Sequence, residues 1–164
     1  MARAGIALGS NLGERHAHLR AAIAGLRDLA TPGEPVLTAA IYQTEPSDCP
    51  PGSPDFLNTV IEIGFAGGPL ELLAHTRALE QTLGRRPNAG RNAPRVIDID
   101  LLYLGDARLD DPTLTLPHPR IAQRRFVLLP LADIRPRLVL PGQHLTIAEL
   151  LDQLPEQSAR NPLP

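Results

Sequence analysis

The order and spacing of the apolar residues predict an α+β fold, in which a ferredoxin-like βαββαβ antiparallel sheet is followed by a C-terminal extension of helices and a hairpin. The first observation is the order of the apolar segments, which is strand, helix, strand, strand, helix and strand. The second is that runs rich in proline and glycine separate these segments, without an internal repeat or an interdomain linker. The third is the length of 164 residues, which suits one domain. We expect residues 1–157 to form this domain and residues 158–164 to be a frayed tail.

The first half of the chain supplies one helix and three strands. Residues 5–8 are a short apolar run that predicts the first strand, and residues 9–13 contain the glycines, serine and asparagine that are typical of a tight turn between a strand and a helix. Residues 36–44 predict the second strand and residues 56–65 the third, whereas four prolines exclude residues 45–54 from a sheet. The helix is indicated by apolar residues at three- and four-residue spacing: Leu19, Ala22, Ile23, Leu26 and Leu29.

The second half begins with a helix that starts at Pro69 and stops at Gly84. Residues 96–104 then predict the fourth strand, because Ile, Leu, Val and Tyr dominate this segment. The C-terminal extension is predicted to contain a hairpin and two short helices, at residues 108–109 with 113–116, at 126–134 and at 146–154. Thr146 and Glu149 have the spacing of a capping box at the start of the last helix.

The composition excludes several classes of function. All 16 basic residues are arginine, so the chain has no P-loop lysine, Schiff-base lysine or lysine general base. The net charge of −2 offers no basic excess for nucleic acid or an anionic membrane, and we expect neither as a partner. Cys49 is the single cysteine, which rules out an internal disulfide, and we see no signal peptide or long apolar run. We expect a cytoplasmic monomer that acts on small molecules.

Two aspartates on the fourth predicted strand are the strongest candidates for chemistry. Side chains alternate along a strand, so Asp98 and Asp100 point to one face, about 7 Å apart. The other face is expected to carry Ile97, Ile99, Leu101 and Tyr103. The loop before the strand carries four arginines, whose guanidinium groups suit phosphate oxygens: Arg85, Arg86, Arg91 and Arg95. Because carboxylates of this kind hold Mg²⁺ together with substrate phosphates, the pattern predicts a phosphoryl-transfer site. The alternative is an edge strand with two solvated aspartates that pair with Arg91 and Arg95.

Three other polar positions each allow two interpretations. Asn58 lies between apolar residues of the third strand, where its amide is either structural or able to recognise the edge of a heterocycle. Arg77 and Glu80 share a helix face, either as an ordinary ion pair or as part of a site beside the arginine loop. His118 stands between two prolines, which is often simply an exposed position, yet three arginines follow within seven residues.

Four separated motifs, in residues 6–13, 94–100, 116–120 and 126–131, make this chain resemble the 6-hydroxymethyl-7,8-dihydropterin pyrophosphokinase family of folate biosynthesis. The resemblance covers almost the entire chain. It implies the three-layer fold of that family. It also implies transfer of a pyrophosphoryl group from ATP to the hydroxymethyl oxygen of the pterin, with release of AMP.

The resemblance further implies roles for individual residues. Asp98 and Asp100 would hold two Mg²⁺ ions, and Arg85 and Arg95 would act with them in the transition state. The implied ATP site consists of Arg77, Glu80, Arg85, Arg91, Arg95, Leu101, Thr115, His118 and Arg124. The implied pterin site consists of Thr44, Pro46, Ser47, Phe56, Asn58, Phe126 and Asp98, with the two phenyl rings on either side of the pterin.

Two members of the implied ATP site stand where the chain departs from the family. Arg77 replaces a polar residue that can contact adenine. Arg86 or Arg91 could compensate for Pro87, which stands where some members carry a second loop arginine. Asn92 and Ala93 also depart from the family, since many members have Trp-Gly at these positions.

Other functions fit the predicted topology less well. A non-catalytic ligand-sensing module would not need two aspartates that face a loop with four arginines. An RNA-binding sheet domain would show Phe and Tyr pairs on its central strands and a basic face, and the sequence has neither. An inactive relative of the family is a third alternative, although both aspartates and both key arginines are intact.

Overall fold

The computed structural model describes residues 1–11, 13–44, 55–84 and 96–155, and it has the predicted α+β architecture. The sheet region contains β1 (Ala2–Ser10), α1 (Arg15–Leu29), β2 (Leu37–Thr38), β3 (Tyr42–Thr44), β4 (Phe56–Phe65), α2 (Pro69–Thr82) and β5 (Asp98–Leu104). The extension contains β6 (Leu109–Asp111), β7 (Leu114–Leu116), a 3₁₀ turn (Ile121–Gln123), α3 (Arg125–Ile134) and α4 (Ile147–Asp152). The described strands β1 to β5 form an antiparallel sheet in the order β2-β4-β1-β5, with β3 beside β2 on the same edge of β4.

Helices cover both faces of the sheet, which gives the three layers that were predicted. On one face, α1 and α2 bury apolar side chains such as Leu26 and Leu72 against Ile61 of β4. On the other face, Leu128 of α3 packs with Val60 of β4. The strand β4 is therefore buried on both sides, because its alternating side chains enter two different cores.

The first strand is longer than the sequence predicted. Residues 9–13 were expected to be a turn, but β1 continues through Gly9 and Ser10. Gly9 lies between two strands, opposite Asn58 of β4 and Asp98 of β5. Pairing on both sides outweighs the weak preference of glycine for turns, since the backbone hydrogen bonds of a central strand are satisfied by its neighbours.

The second predicted strand, residues 36–44, is divided into β2 and β3. Leu37 is opposite Glu62 and Tyr42 is opposite Asn58. Tyr42 is five positions after Leu37, but Asn58 is only four positions before Glu62, so the segment at 37–42 contains one extra residue. The backbone N–H of Ala39 donates to the carbonyl of Val60 at 2.9 Å, which keeps the interrupted segment against β4. This is a β-bulge, and it bends the edge of the sheet.

A second irregularity changes the face of Tyr103. The alternation in the sequence predicted this residue on the face opposite the aspartates, but Leu101 pairs with Ile6 and Tyr103 with Gly5, so Leu102 is an extra residue in β5. Tyr103 consequently lies on the same face as Asp98 and Asp100, in the core beneath α3. Its ring covers Gly5, where a β-carbon would overlap the aromatic ring.

The other predicted elements are confirmed. The helix α2 begins at Pro69, and Gly84 follows it with a φ of +104°, a left-handed conformation that favours glycine. The capping box of α4 is formed by Thr146 and Glu149. The boundary between a domain at 1–157 and a tail at 158–164 stays a prediction, because residues 156–164 lie outside the described part of the chain. Across that described part, every helix is too short or too polar to cross a membrane.

Candidate active site

The two aspartates lie on β5, which forms one edge of the described sheet. Asp98 is opposite Gly9 and Asp100 is opposite Ala7 of β1, so both carboxylates point to the face that α3 and α4 cover. Both side chains are half-buried. The predicted placement of two carboxylates on one face is therefore present in the structure.

Asp98 is the last member of a row of residues that crosses the sheet. Tyr42, Asn58, Gly9 and Asp98 are in register on four adjacent strands, and residues in register point to the same face. A β-carbon at position 9 would lie 3.1 Å from Asn58 Oδ1, so the absence of a side chain leaves a gap in this row. We call this gap, between Asn58 and Asp98, the Gly9 recess.

Two more residues of the predicted pterin site, Thr44 and Phe56, lie around the Asn58 side of the recess. Asn58 Nδ2 donates a hydrogen bond to Thr44 Oγ1 at 2.6 Å, which holds the amide in one orientation. Phe56 lies two residues before Asn58 on the same face of β4, and its ring is within 3.7 Å of the β-carbon position at Gly9. Phe126 lies in the first turn of α3 and is 39% exposed, which is unusual for a phenyl ring in a protein of this size.

A cavity, which we call the edge cleft, runs along the free edge of β5. It has a volume of about 550 Å³ and lies between α2 and the β6–β7 hairpin. The cleft brings together six residues of the predicted ATP and metal sites: Arg77, Glu80, Asp100, Leu101, Thr115 and His118. Asp100 thus lines the edge cleft, whereas its neighbour Asp98 borders the Gly9 recess.

The edge of β5 presents backbone groups to this cleft. The N–H of Ile99 donates to Glu80 Oε2 at 2.8 Å, so this N–H points away from β1. Because the direction of backbone groups repeats every second residue along a strand, the N–H and C=O of Leu101 also point toward the cleft. A planar heterocycle can form hydrogen bonds with such an exposed strand edge.

His118 is held in one orientation by its neighbours. Its backbone N–H donates to the carbonyl of Leu102 at 2.8 Å, and its Nδ1 accepts from the backbone N–H of Arg120 at 3.1 Å. Burial, together with the positive charges of Arg124 and Arg120, lowers the pKa of His118 to about 4. The imidazole is therefore neutral at pH 7 with its proton on Nε2, which makes it a donor that needs no positive charge.

Arg124 lies close to both parts of the site. Its guanidinium group is 5.5 Å from the centroid of the Phe126 ring, within the range of a cation–π contact. Its charge also acts on His118, as the lowered pKa of that residue indicates. Five predicted site residues lie outside the described residues, namely Pro46, Ser47, Arg85, Arg91 and Arg95, and their roles stay predictions.

Comparison with known proteins decides which family has this arrangement. The sequence model of the family described as 7,8-dihydro-6-hydroxymethylpterin-pyrophosphokinase (HPPK) matches residues 5–136. The chain belongs to this family. A 2-amino-4-hydroxy-6-hydroxymethyldihydropteridine pyrophosphokinase from Methylorubrum extorquens is 41% identical over 158 residues, which are 94% of this chain and 94% of that protein. A protein of the same name from Synechocystis sp. is 36% identical over 149 residues, covering 91% of this chain and 74% of that protein.

Other relatives of this HPPK-family chain are longer proteins. The folic acid synthesis protein fol1 of Schizosaccharomyces pombe is 35% identical over 156 residues, and these span only 21% of that protein. Among solved structures, Plasmodium falciparum HPPK-DHPS wild type with SDX-DHP matches with a TM-score of 0.71 and 15% identity. That match covers 93% of this chain and 44% of the other. It therefore supports the conclusion that this chain has the fold of one part of that protein.

HPPK family membership implies a divalent metal, and the donors at β5 suit Mg²⁺. Within the described residues, no group of three or more His, Cys, Asp or Glu side chains could hold a metal by itself. Asp98 and Asp100 offer hard oxygen ligands on one face of one strand. Mg²⁺ is commonly held by one or two carboxylates, with water and substrate phosphates as the other ligands. The two aspartates therefore fit this metal.

Two features of the candidate site were not predicted from the sequence. Gly9 was interpreted as a turn residue, although glycine within a strand often marks a close approach to the backbone. Residues 111–114 of the β6–β7 hairpin also line the edge cleft. The hairpin itself was predicted, but the sequence contains no signal that it folds over the edge of β5. Only the contact between the two sheets places it there.

Proposed function

We propose that this chain catalyses the reaction of its family, the transfer of pyrophosphate from ATP to the hydroxymethyl group of 6-hydroxymethyl-7,8-dihydropterin. The products are the pterin diphosphate and AMP, and the reaction is a step of folate biosynthesis. The observation that carries the proposal is the position of the aspartates, which lie on one strand between the row that contains Gly9 and Asn58 and the edge cleft. Asp98 borders the Gly9 recess, and Asp100 lines the edge cleft. Two substrates can therefore meet at one pair of carboxylates.

The Gly9 recess is the proposed pterin site. The backbone of Gly9 forms its floor, and Asn58 supplies an amide that can both donate and accept hydrogen bonds at the ring edge. Phe56 and Phe126 supply aromatic surface for offset stacking. Thr44 orients Asn58, and Pro46 and Ser47 are proposed as further contacts on the basis of the family resemblance.

The edge cleft is the proposed ATP site. The backbone of Leu101, which faces the cleft, suits the edge of adenine, with Arg77, Glu80 and Thr115 beside it. His118 Nε2–H and the guanidinium of Arg124 are donors for the phosphate oxygens. From the part of the chain outside the described residues, Arg85, Arg91 and Arg95 are proposed to contact the phosphates, with Arg85 and Arg95 acting in the transition state.

Asp98 and Asp100 are proposed to hold two Mg²⁺ ions. When bound, the metal would neutralise phosphate charge and stabilise the charge that develops at the β-phosphorus. In the transfer, the hydroxymethyl oxygen forms a bond to the β-phosphorus, the bond from this phosphorus to the oxygen of AMP breaks, and the hydroxyl proton is released. The protein acts mainly by holding the two substrates in line, since effective local concentration and charge neutralisation account for most of such catalysis.

A nucleotide product assay tests the proposal. Purified protein is incubated with Mg-ATP, with and without 6-hydroxymethyl-7,8-dihydropterin, and AMP and ADP are quantified. We expect AMP only when both the pterin and Mg²⁺ are present, and no ADP. ADP as the product, or AMP formed without the pterin, would contradict the proposed reaction.

Variants of the metal site sharpen this test. We expect Asp98→Ala and Asp100→Ala to abolish turnover and to leave the melting temperature close to that of the parent protein, because both side chains are half-buried at an edge strand. A variant that kept most of its turnover would remove the metal assignment. The cytoplasmic location and the monomeric state stay predictions from the sequence.

A further inference from the structure

The helix α3 carries an aromatic residue of the proposed pterin site at one end and a carboxylate that is hydrogen-bonded to the sheet at the other. Phe126 lies in its first turn and Asp133 in its last. Seven residues are close to two full turns of an α-helix, so these side chains lie on the same side of α3, about 10 Å apart along its axis. A rotation of the helix about its axis would move both side chains together.

Asp133 is fixed to the sheet by Tyr42. The hydroxyl group of Tyr42 lies 2.9 Å from Asp133 Oδ1 and 2.8 Å from Oδ2, so it donates to this carboxylate. Tyr42 is only 5% exposed, whereas Asp133 is exposed, so the hydrogen bond lies at the boundary between the core and the solvent. Burial and the neighbouring carboxylate raise the pKa of Tyr42 to about 12, so its hydroxyl keeps the proton throughout the physiological range.

Tyr42 is also the neighbour of Asn58 in the row that crosses the sheet. The two residues are directly opposite each other on β3 and β4, two positions from Thr44, which holds the Asn58 amide. One side chain therefore links the hydrogen-bonding part of the recess to the helix that carries Phe126. The apolar contacts of α3, made by Val127, Leu128 and Leu131, bury the helix but are not directional. The hydrogen bond is directional and can fix the rotation.

We propose that Tyr42 is a positioning residue for the pterin: through Asp133 it fixes the rotation of α3, and thereby the place of Phe126 relative to Asn58. The inference rests on the proposed function, since it assigns these two residues to the same ligand. Tyr42 itself touches neither substrate in this account. We expect its effect to fall mainly on the pterin, because no residue of α3 lines the edge cleft and Arg124 precedes the helix as its N-cap.

The test compares Tyr42→Phe with the parent protein in binding and in turnover. We expect the Kd and KM for the pterin to rise about fivefold, which corresponds to the loss of one hydrogen bond. The KM for ATP and kcat should stay within about twofold of the parent values, since the ATP site is untouched. Binding is measured by titration calorimetry with the pterin in the absence of ATP, so that it does not depend on catalysis.

Two variants of Asp133 show whether loss of the hydrogen bond from Tyr42 is responsible for the weaker pterin binding. Asp133→Asn retains an oxygen that accepts from Tyr42, and we expect pterin binding close to that of the parent. Asp133→Ala removes the acceptor and should match Tyr42→Phe, and the double variant should be no worse than either single variant. If Tyr42→Phe does not fold, Asp133→Ala tests the same claim.

Thr146→Ala is the matched control for general destabilisation. It removes the cap of α4 and leaves the hydrogen bond between Tyr42 and Asp133 in place. We expect it to lower the melting temperature without a change in pterin affinity. Pterin affinity that is equal in Tyr42→Phe, Thr146→Ala and the parent would overturn the inference and leave the proposed function intact. If the parent protein itself neither bound the pterin nor released AMP, both the inference and the proposed function would be wrong.

Discussion

The carboxylate of Glu80 accepts a hydrogen bond from the backbone N–H of Ile99 at 2.8 Å, and this contact joins α2 to the free edge of the strand that carries both aspartates. Glu80 is almost fully buried. An edge strand leaves N–H groups without partners, and here a side chain satisfies one of them. The position of β5, and with it that of Asp98 and Asp100, therefore depends on a residue that the sequence assigned either to an ion pair with Arg77 or to ATP binding.

Replacement of Glu80 tests this dual role. We expect Glu80→Ala to lower the free energy of unfolding by about 2 kcal/mol, because the buried N–H of Ile99 loses its acceptor. It should also raise the KM for ATP. Glu80→Gln retains an acceptor oxygen and should lose much less stability. Urea denaturation of both variants measures the difference, and equal losses would show that the charge of Glu80, not its hydrogen bond, stabilises the edge.

Gly9 tests the location of the proposed pterin site. We expect Gly9→Ala to weaken pterin binding about tenfold, because the methyl group would lie 3.1 Å from Asn58 Oδ1 and fill part of the recess. The affinity for ATP should not change. Calorimetric titrations with each ligand measure the two affinities.

Gly68→Ala is the matched control for Gly9→Ala. The space around Gly68 is open, and its φ of −87° is acceptable for alanine. Unchanged pterin affinity in Gly9→Ala would place the pterin elsewhere.

His118 gives the stability a defined dependence on pH. Its folded pKa of about 4 lies below the ordinary value of 6.5, so the unfolded chain binds a proton in a range where the folded chain does not. The contribution of the neutral His118 to the free energy of unfolding is complete above pH 6.5 and is lost as the pH falls toward 4. We expect His118→Asn to have a flatter profile than the parent between these values, measured as the free energy of unfolding in urea. Parallel profiles would contradict the neutral, buried imidazole.

Tyr103 and Glu62 provide a test of stability away from the site. The Tyr103 hydroxyl donates to Glu62, a fully buried carboxylate that also contacts Arg3 at 2.9 Å and Arg135 at 3.4 Å. We expect Tyr103→Phe to lower the free energy of unfolding by about 2 kcal/mol, because a buried charge loses a donor. The kinetic constants should change little, since none of these four residues lines the edge cleft or belongs to the row from Asn58 to Asp98. A large loss of kcat without a loss of stability would contradict this assignment.

The periodicity of the sequence was sufficient to predict the order and the type of the main helices and strands. Residues 56–65 and 69–82 behave as predicted, because their apolar residues repeat with the period of a strand and of a helix. The two bulges were not predictable in this way. An extra residue at 39–41 or at Leu102 leaves the local composition unchanged, and only the pairing with a distant strand shows it. Tyr103 was consequently placed on the wrong face.

The candidate site was predicted residue by residue where motifs were specific. The residues His118, Thr115 and Glu80 line one cleft although they are separated by up to 38 positions, and the family resemblance was the only sequence signal that joined them. Gly9 and Tyr42 were missed for a physical reason. The role of each depends on the residues opposite it on the neighbouring strands. The pattern of a single sequence contains no information about such cross-strand neighbours.

The most direct test of the account is a crystal structure with the pterin and an ATP analogue whose α,β-bridging oxygen is replaced by a methylene group. We predict the pterin over Gly9 with its ring edge at Asn58, adenine at the backbone of Leu101, and the β-phosphorus beside Asp98 and Asp100. A pterin bound outside the row from Asn58 to Asp98, or adenine bound away from the edge of β5, would contradict the claim that the two aspartates stand between the two substrates.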